Sequence, residues 1–378
     1  MFFDTLRLYQ FRNLQQQELH FAKGPNILVG PNGQGKSNFI EALIYLISGK
    51  SFRPFKTEHL LAKDHVDKLV YVCANVDEKD KYELKIESRA KITKNNKNYS
   101  WAKAVKDLPY VLFSPESLNA IKASSQERRA LIDQSLVLLN PENQALIKNY
   151  QKVLRQRNRI LSDRKNEKLS IKQGDALLDS INPSFFDLAE ELMWQRLDLL
   201  KKIGPIFSFV CKEIMADKNV EIAVDYVTSE QKLNEWQRAD LRPYLEKRAA
   251  TLVTAEKASG LSLVGPHKHD IYFQLNSYDS RYYCSQGQQR AIILSFKMAK
   301  IMYYKRTFGR WPFLFLDDVL SELDAQKRDH LIRFLKESEG QAFITTTDLS
   351  FSQDLLELGG RVFEVSEGKV LPEKNEVV

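Results

Sequence analysis

A glycine-rich segment near the N-terminus constrains the fold of this chain more than any other stretch. Residues 26–37 read Asn-Ile-Leu-Val-Gly-Pro-Asn-Gly-Gln-Gly-Lys-Ser, which predicts a short apolar strand, a turn and the start of an amphipathic helix. Gly30, Gly35, Lys36 and Ser37 satisfy the spacing G-x-x-x-x-G-K-[ST]. A strand, such a loop and a helix in this order indicate an α/β domain that binds phosphate groups.

The residue types in this loop suit a triphosphate and a magnesium ion. Glycines let successive backbone N–H groups turn toward phosphate oxygens, and the helix that follows directs its positive end to the same place. Lys36 can reach the β- and γ-phosphates, and the Ser37 hydroxyl can complete a magnesium shell. The predicted nucleotide contacts of the loop are Gly30, Pro31, Asn32, Gly33, Gln34, Gly35, Lys36, Ser37 and Asn38.

A second segment supplies the acidic residues that a magnesium-dependent ATPase needs. Residues 311–318 read Trp-Pro-Phe-Leu-Phe-Leu-Asp-Asp, which predicts a buried parallel strand with an acidic end. We expect Asp317 to coordinate magnesium, together with Ser37, and Asp318 to act as a general base or to orient water. Lys36, Asp317 and Asp318 are therefore the predicted catalytic residues. The alternative is a strand that ends in two solvated acids at a turn.

A third segment opens another helix with a serine and a glycine. Ser285-Gln286-Gly287-Gln288 precedes an apolar helix, and its N-terminus is a potential anion-binding end. Such an end lies far in sequence from the phosphate loop. A second anion-binding end at this distance is explained if two subunits pair head-to-tail, so that each caps the nucleotide held by the other. The alternative is ordinary serine capping of a helix.

Composition and patterning indicate a two-part organisation. The chain has 378 residues and a formal net charge of +7, which favours an anionic partner, and its three cysteines form no C-x-x-C pair. No apolar run is long enough to span a bilayer, so we expect a cytoplasmic protein with no membrane partner. Strand-and-helix alternation predicts an α/β ATPase domain from 1–116 plus 261–378. A mainly helical lobe is predicted for 117–260.

Several local elements are predicted within these two parts. We expect helices over 144–165 and 184–202, the second ending before Gly204-Pro205, and a strand over 261–264. The Lys/Asn-rich tract 91–98 predicts an exposed hairpin loop between strands. His267 and His269 lie in a short segment to which we assign no metal and no role.

One predicted helix carries a basic stripe. Lys148, Lys152, Arg155 and Arg159 follow the spacing i, i+4, i+7, i+11 and therefore line one face of the helix over 144–165. We expect this face to contact DNA phosphates in a largely sequence-independent, salt-sensitive way. The alternative is a solvated charged face, which is the commoner meaning of such a stripe.

The motifs, taken in order, resemble those of an ABC-type ATPase head. They are a Walker A segment at 30–37, a signature at 285–288, a Walker B segment at 313–318, a D-loop at 321–324 and a switch at 345–348. More narrowly, the chain resembles the RecF family of bacterial recombination mediators, which are related to SMC heads. The stretches that carry this resemblance cover nearly the whole chain: Phe11-Arg12-Asn13, 30–38, Phe113-Ser114-Pro115-Glu116, Glu127-Arg128-Arg129, Gly265-Pro266-His267, 285–289 and 316–324.

The resemblance implies a function and additional site residues. It adds Arg12, Ser285, Gly287, Gln288, Asp324 and Thr347 to the nucleotide site. It implies an ATP-dependent homodimer that clamps double-stranded DNA near gaps or junctions, works with RecR and RecO to load RecA, and releases DNA on hydrolysis. Such a protein acts in DNA repair, DNA replication and the SOS response. Transporter heads usually carry Glu at the position of Asp318 and His at that of Thr347, so we expect slow hydrolysis.

Other proteins share such a head. The ATPase head of another SMC-like DNA-maintenance protein is one alternative. The energy-coupling subunit of a transporter is less favoured, because the helical insertion is large and basic. A nuclease of the overcoming-lysogenisation type would need an additional catalytic domain, and an SMC scaffold would need a long coiled coil.

Overall fold

Fifteen strands and ten helices are formed by residues 1–53, 60, 69–348 and 359–372, which are the ones described by the computed structural model. The strands are β1 (Phe3–Tyr9), β2 (Gln17–His20), β3 (Pro25–Val29), β4 (Val70–Val76), β5 (Asp80–Ile86), β6 (Ala90–Lys94), β7 (Lys97–Asn98), β8 (Tyr110–Phe113), β9 (Ile222–Val227), β10 (Asp270–Leu275), β11 (Tyr278–Asp279), β12 (Phe313–Asp317), β13 (Ala342–Thr346), β14 (Arg361–Ser366) and β15 (Lys369–Pro372). The helices are α1 (Lys36–Ser48), α2 (Trp101–Asp107), α3 (Pro115–Leu118), α4 (Ser125–Leu139), α5 (Asn143–Lys165), α6 (Ile171–Met215), α7 (Arg238–Ser259), α8 (Ser280–Tyr283), α9 (Gln286–Phe308) and α10 (Ala325–Glu337).

The chain divides into two compact units. The first consists of Met1–Asn119 and Ile293–Val378, and the second of Ala120–Ile292. From the sequence, the chain was predicted to re-enter the ATPase domain at residue 261, whereas in the structure the first unit resumes only at Ile293. The reason is that β10 pairs antiparallel with β9 along its length and β11 extends β10, so these strands form a sheet of the second unit.

A mainly parallel sheet forms the centre of the first unit. Its strand order is β15-β14-β3-β13-β12-β8, and only the β14–β15 pair is antiparallel. Every residue of β3, β12 and β13 is buried. Strands covered on both faces need continuous apolar runs, which is why the segments now called β3 and β12 were predicted from the sequence as apolar strands.

An antiparallel sheet of the first unit has the order β2-β1-β4-β5-β6-β7. The tract 91–98, predicted as an exposed hairpin loop, forms most of the β6–β7 hairpin, with residues 95–98 exposed and the residues before them paired as a strand. Its two turn residues, Asn95 and Asn96, both have positive φ angles. Asparagine tolerates this conformation, so an Asn-Asn pair can close a tight hairpin inside a tract that composition alone marks as polar loop.

Phe343 on β13 lies at the centre of an aromatic cluster in the first unit. Its ring centroid is 5.0 Å from that of Phe21, 5.6 Å from Phe315, 6.1 Å from Phe3 and 6.2 Å from Phe39. Because Phe3 belongs to β1 and Phe39 to α1, the cluster packs the antiparallel sheet and α1 onto the parallel sheet. Large buried rings at such distances contribute strongly to a core.

Helix α6 is much longer than the predicted helix over 184–202. It runs unbroken from Ile171 to Met215 with Pro183 and Pro205 inside it. Each proline removes a helical hydrogen bond at a cost of about 3 kcal/mol. The buried apolar stripe continues on both sides of each proline, and its burial holds the helix together. Although α6 is long, none of the helices in the described ranges has the length and apolar character needed to cross a membrane.

Buried ion pairs connect the helices of the second unit. Arg157 on α5 binds Glu256 on α7 through two nitrogens at 2.7 and 3.0 Å. Arg196 on α6 binds Asp133 on α4 at 2.8 and 2.9 Å. The strand predicted over 261–264 is absent, because side chains accept the hydrogen bonds of its backbone N–H groups. The Glu256 carboxylate, for example, accepts from Leu263 N at 2.7 Å.

Two histidines in the segment after 264 are bonded inside the second unit. His267 Nε2 donates to the Ser262 carbonyl at 3.0 Å, because a carbonyl can only accept. In the neutral ring Nδ1 therefore accepts from the Tyr150 hydroxyl, at 2.7 Å. Burial lowers the pKa of His267 to about 4 and that of His269, next to Tyr226, to about 3. Both rings are neutral in the folded protein above those values.

These lowered pKa values predict acid sensitivity of the second unit. An unfolded histidine titrates near 6.5, so between pH 6.5 and 4 the unfolded chain binds more protons than the folded one. The free energy of unfolding should then fall with decreasing pH by up to about 1.4 kcal/mol per pH unit for each histidine. Urea unfolding between pH 7 and 5 should show a smaller decrease in His267→Gln than in wild type. Parallel curves for the two proteins would refute this assignment.

Candidate nucleotide-binding site

The phosphate loop connects β3 to α1 with a backbone that only glycine suits at two places. Gly35, the N-cap of α1, has a φ angle of 118°, in the left-handed region. Gly30 lies so close to β14 that a Cβ atom there would overlap the carbonyl oxygen of Val365. The loop is therefore held against the parallel sheet at its start and turned into α1 at its end, as its sequence predicted.

Lys36 lies folded into the loop that precedes it. Its Nζ donates to the carbonyl oxygens of Gly30 at 2.6 Å and Pro31 at 2.8 Å. Burial lowers the pKa of Lys36, while the nearby carboxylates of Asp318 and Asp317 act in the opposite direction. The ammonium group is thus already positioned at the loop and lies close to both predicted acidic residues.

Asp317 ends β12 and is buried beside the start of α1. Its Oδ1 accepts a hydrogen bond from Thr345 Oγ1 on β13 at 2.9 Å, and its carboxylate is also hydrogen-bonded to Ser37. Burial raises the pKa of Asp317, whereas the bonds from Ser37 and Thr345 and the charge of Arg53 lower it. A carboxylate and a hydroxyl side by side are the hard oxygen donors that Mg²⁺ prefers, so Ser37 and Asp317 fit a magnesium ion.

Asp318 follows directly and faces the open cleft. Its φ angle of 50° is unusual for a non-glycine residue, and its backbone N–H donates to Thr345 Oγ1 at 2.9 Å. Its carboxylate accepts from Ser321 Oγ at 3.0 Å. The residues that line the cleft are Asn32, Gly33, Gly35, Lys36, Ser37, Asn38, Arg53 and Asp318.

Arg53 was not singled out in the sequence, yet it lines the cleft. Glu41 on α1 is fully buried and pairs with both Arg12, at 2.6 Å, and Arg53. Arg53 also donates to Asn38 Oδ1 at 2.6 Å, which connects it to the phosphate loop. The sequence signal was Glu41 itself, a carboxylate on the apolar face of α1, because a buried acid needs a cationic partner.

The switch segment, from which Thr347 was predicted as a site residue, also brings Thr345 to the cleft. Thr345 is buried and bridges Asp317 and Asp318, whereas Thr347 is exposed at the end of β13. Asp324, in the predicted D-loop, caps α10 by accepting from Lys327 N at 3.0 Å. Its pKa is lowered chiefly by the side-chain bond from Lys327.

The signature residues lie in the second unit. Ser285 and Gln288 form reciprocal bonds at the start of α9: Ser285 N donates to Gln288 Oε1 at 2.9 Å, and Gln288 N donates to Ser285 Oγ at 3.2 Å. Both side chains are exposed, and Gly287 is half-buried between them. Serine capping, the simpler interpretation, is thus present, and it leaves this end of α9 accessible to a ligand.

The basic stripe lies on the exposed face of α5. Lys148, Lys152, Arg155 and Arg159 are all exposed, and Arg159 has a long contact of 3.6 Å to Asp163. Not every cation of this helix belongs to the face, because Arg157 is buried in its pair with Glu256. The four residues chosen by helical spacing are therefore separate from Arg157, whose charge is paired in the interior of the second unit.

The fold and the cleft together define an ABC-type ATPase head. A family model described as RecF/RecN/SMC N terminal domain matches residues 2–369. The DNA replication and repair protein RecF of Alkaliphilus oremlandii is 30% identical over 376 residues, which cover 98% of this chain and 100% of that protein. The chain belongs to the RecF family.

Solved structures agree with this assignment. A structure of the recombination mediator protein RecF with ATPrS, in the RecFOR pathway, has 29% identity and a TM-score of 0.84, with 98% of each chain covered. The Smc head domain of Pyrococcus furiosus has a TM-score of 0.55 and 14% identity, with 98% of this chain and 95% of that one covered. The second likeness shows the fold alone.

The bridging position of Thr345 predicts a specific loss of activity. Thr345→Val removes the hydroxyl that donates to the Asp317 carboxylate and accepts from the Asp318 backbone N–H, so the Asp317 carboxylate and the Asp318 backbone each lose a positioning hydrogen bond. We expect the rate of ATP hydrolysis to fall by about ten-fold or more, as for other positioning hydrogen bonds. Thr307→Val, which removes a hydroxyl that donates to the Tyr303 carbonyl of its own helix, is the matched control. Equal rates in the two variants would contradict the role of Thr345.

Proposed function

We propose that this chain is an ATP-dependent DNA-binding protein of recombinational repair and replication-fork maintenance. The observation that carries the proposal is the convergence of Lys36, Ser37, Asp317 and Asp318 on one cleft in a member of the RecF family. ATP binding brings two copies together around duplex DNA near single-strand gaps, and hydrolysis releases it.

The residues of the cleft divide the chemistry among them. Lys36 exchanges its bonds to the loop carbonyls for the β- and γ-phosphates. Ser37 and Asp317 would hold Mg²⁺, which would supply positive charge to the phosphate oxygens. Asp318 orients the attacking water or accepts its proton. Arg12, Asn38 and the backbone N–H groups of the loop hold the triphosphate in position.

Hydrolysis is expected to be slow. Asp318 has a shorter side chain than the glutamate of transporter heads, and its carboxylate is also engaged by Ser321. Thr347 lacks the imidazole that such heads place in the switch. A slow step suits a DNA-binding switch, because the closed state then lasts long enough to recruit partners.

The second half of each reaction centre comes from another copy of the chain. Ser285, Gly287 and Gln288 would cap the triphosphate held by the partner, with Asp324 and Thr347 at the same interface. The accessible start of α9 supports this arrangement. Tyr282 and Tyr283, just before it, are 75% and 71% exposed, and exposed aromatic rings are enriched where proteins associate.

Duplex DNA is the expected ligand of the basic stripe on α5. Four exposed cations on one helical face can contact successive phosphates without reading base sequence. A solved RecF is described as a recombination mediator of the RecFOR pathway. This supports RecR and RecO as partners, with RecA loading at gapped or junction DNA as the outcome.

Two substitutions test the shared reaction centre. Lys36→Met should abolish ATP binding, whereas Ser285→Arg should retain ATP binding and lose ATP-dependent dimerisation, because its long cation occupies the partner's phosphate position. Solution mass and duplex binding, with and without ATP, measure both effects. If both variants bind DNA with wild-type affinity in the presence of ATP, the clamp does not exist.

The salt dependence of DNA binding tests the role of the basic stripe. Lys152→Gln combined with Arg155→Gln should lower affinity for every duplex alike. It should also reduce the slope of log affinity against log salt by about 2, since each phosphate contact contributes about 0.9. Lys218→Gln with Lys247→Gln removes two exposed lysines of the same unit that lie outside α5. An unchanged slope in the α5 variant would exclude this face as the DNA contact.

A further inference from the structure

The turn that joins β14 to β15 lies directly against the phosphate loop. Its two residues, Glu367 and Gly368, both have positive φ angles, as in a tight hairpin turn. Glu367 N donates to the side-chain Oε1 of Gln34 at 2.6 Å, and Gly368 N donates to the Gln34 carbonyl at 3.0 Å. A single residue of the phosphate loop thus accepts both N–H groups of a turn more than 300 residues away in sequence.

The carbonyl side of the same turn is held by the segment after β1. Gln15 donates to Gly368 O through its backbone at 3.0 Å and to Glu367 O through its side chain at 3.0 Å. Gln17 Nε2 also donates to Gly368 O, at 3.2 Å. The turn is therefore clamped on both sides, and its donors have a defined direction toward Gln34.

This segment itself contacts the phosphate loop. Asn13 Oδ1 accepts from Asn38 at 2.7 Å, and Asn13 Nδ2 is 3.4 Å from the Gly33 carbonyl. A Cβ atom at Gly368 would overlap the carbonyl oxygen of Asn13, so no larger residue fits there without displacing Asn13. Turn, loop and the segment around Asn13 consequently interlock, and a shift in one must move the others.

We propose that the Glu367–Gly368 turn is a positioning element that holds the phosphate loop, through Gln34, in the conformation that accepts a triphosphate. This inference rests on the proposed function, because it takes ATP as the ligand of that loop. The side chain of Gln34 then supports the loop and does not bind the phosphates, because its oxygen accepts a hydrogen bond from the turn. The loop contains three glycines, whose backbone freedom makes an external support useful for binding.

The expected effect is on ATP affinity and not on the chemical step. The turn contacts neither Asp317 nor Asp318 through any hydrogen bond found among the described residues. Losing a preorganising bond should weaken ATP binding by roughly ten-fold or less for a single bond, while turnover at saturating ATP stays near wild type.

Two variants and one matched control test the inference. Gln34→Met keeps the side-chain length and removes the acceptor. Gly368→Ala introduces the overlap with Asn13. Gly309→Ala is the control: Gly309 has a φ angle of 70°, similar to the 78° of Gly368, but a Cβ there meets nothing within 4 Å. The control therefore carries the same backbone strain without the steric displacement.

ATP dissociation constants from a fluorescent ATP analogue, KM, kcat and amide hydrogen exchange over residues 32–36 are measured for all four proteins. Support consists of weaker ATP binding and faster exchange in Gln34→Met and Gly368→Ala, with kcat unchanged and Gly309→Ala like wild type. If Gly368→Ala does not fold, Gln34→Met decides alone. Wild-type affinity in Gln34→Met, or a loss confined to kcat, overturns the inference. Absence of ATP binding by the wild type overturns the proposed function and this inference together.

Discussion

Parallel pairing of β3, β13 and β12 is the constraint on which the candidate site depends. Leu28 pairs with Thr345, and Thr345 pairs with Asp317, so the carboxyl ends of three strands meet at one edge of the sheet. The phosphate loop leaves one of these strands and Asp318 follows another. Because the strands are buried on both faces, their ends cannot slide without exposing apolar side chains. The relative positions of the predicted catalytic groups therefore follow from the packing of the core.

Burial gives this edge an electrostatic imbalance that a nucleotide can relieve. It lowers the pKa of Lys36 and raises that of Asp317, so each charged form is disfavoured in the ligand-free protein. A triphosphate supplies the opposite charge to the lysine, and a magnesium ion supplies it to the aspartate. Glu41 solves the same problem internally, since its buried carboxylate is neutralised by Arg12 and Arg53. The cleft thus combines two kinds of charge. The ion pairs of Glu41 with Arg12 and Arg53 are already formed, whereas the charges of Lys36 and Asp317 would be neutralised by the nucleotide and its metal ion.

In the second unit, the cations that stabilise the fold are different residues from the cations that are exposed to a ligand. Arg157 and Arg196 are buried in ion pairs that join its helices, while the four cations of the α5 stripe remain exposed. Removing one partner of a buried pair leaves an uncompensated charge and costs about 3–5 kcal/mol. Exposed cations can be exchanged with little effect on folding. A helical unit built this way can present a positive surface without depending on it for stability.

The sequence alone determined the features that neighbouring residues encode: the phosphate loop, the buried strands, the capped start of α9 and the order of the motifs, which together identified the family. It could not show that Thr345 of the switch bridges Asp317 and Asp318, that Arg53 reaches the cleft, or that Gln34 accepts hydrogen bonds from the Glu367–Gly368 turn. It also ended α6 at a proline through which the helix continues. Spacing along the chain specifies periodicity and local turns. Which distant side chains share a hydrogen bond or a buried charge is decided only when separate segments pack against one another.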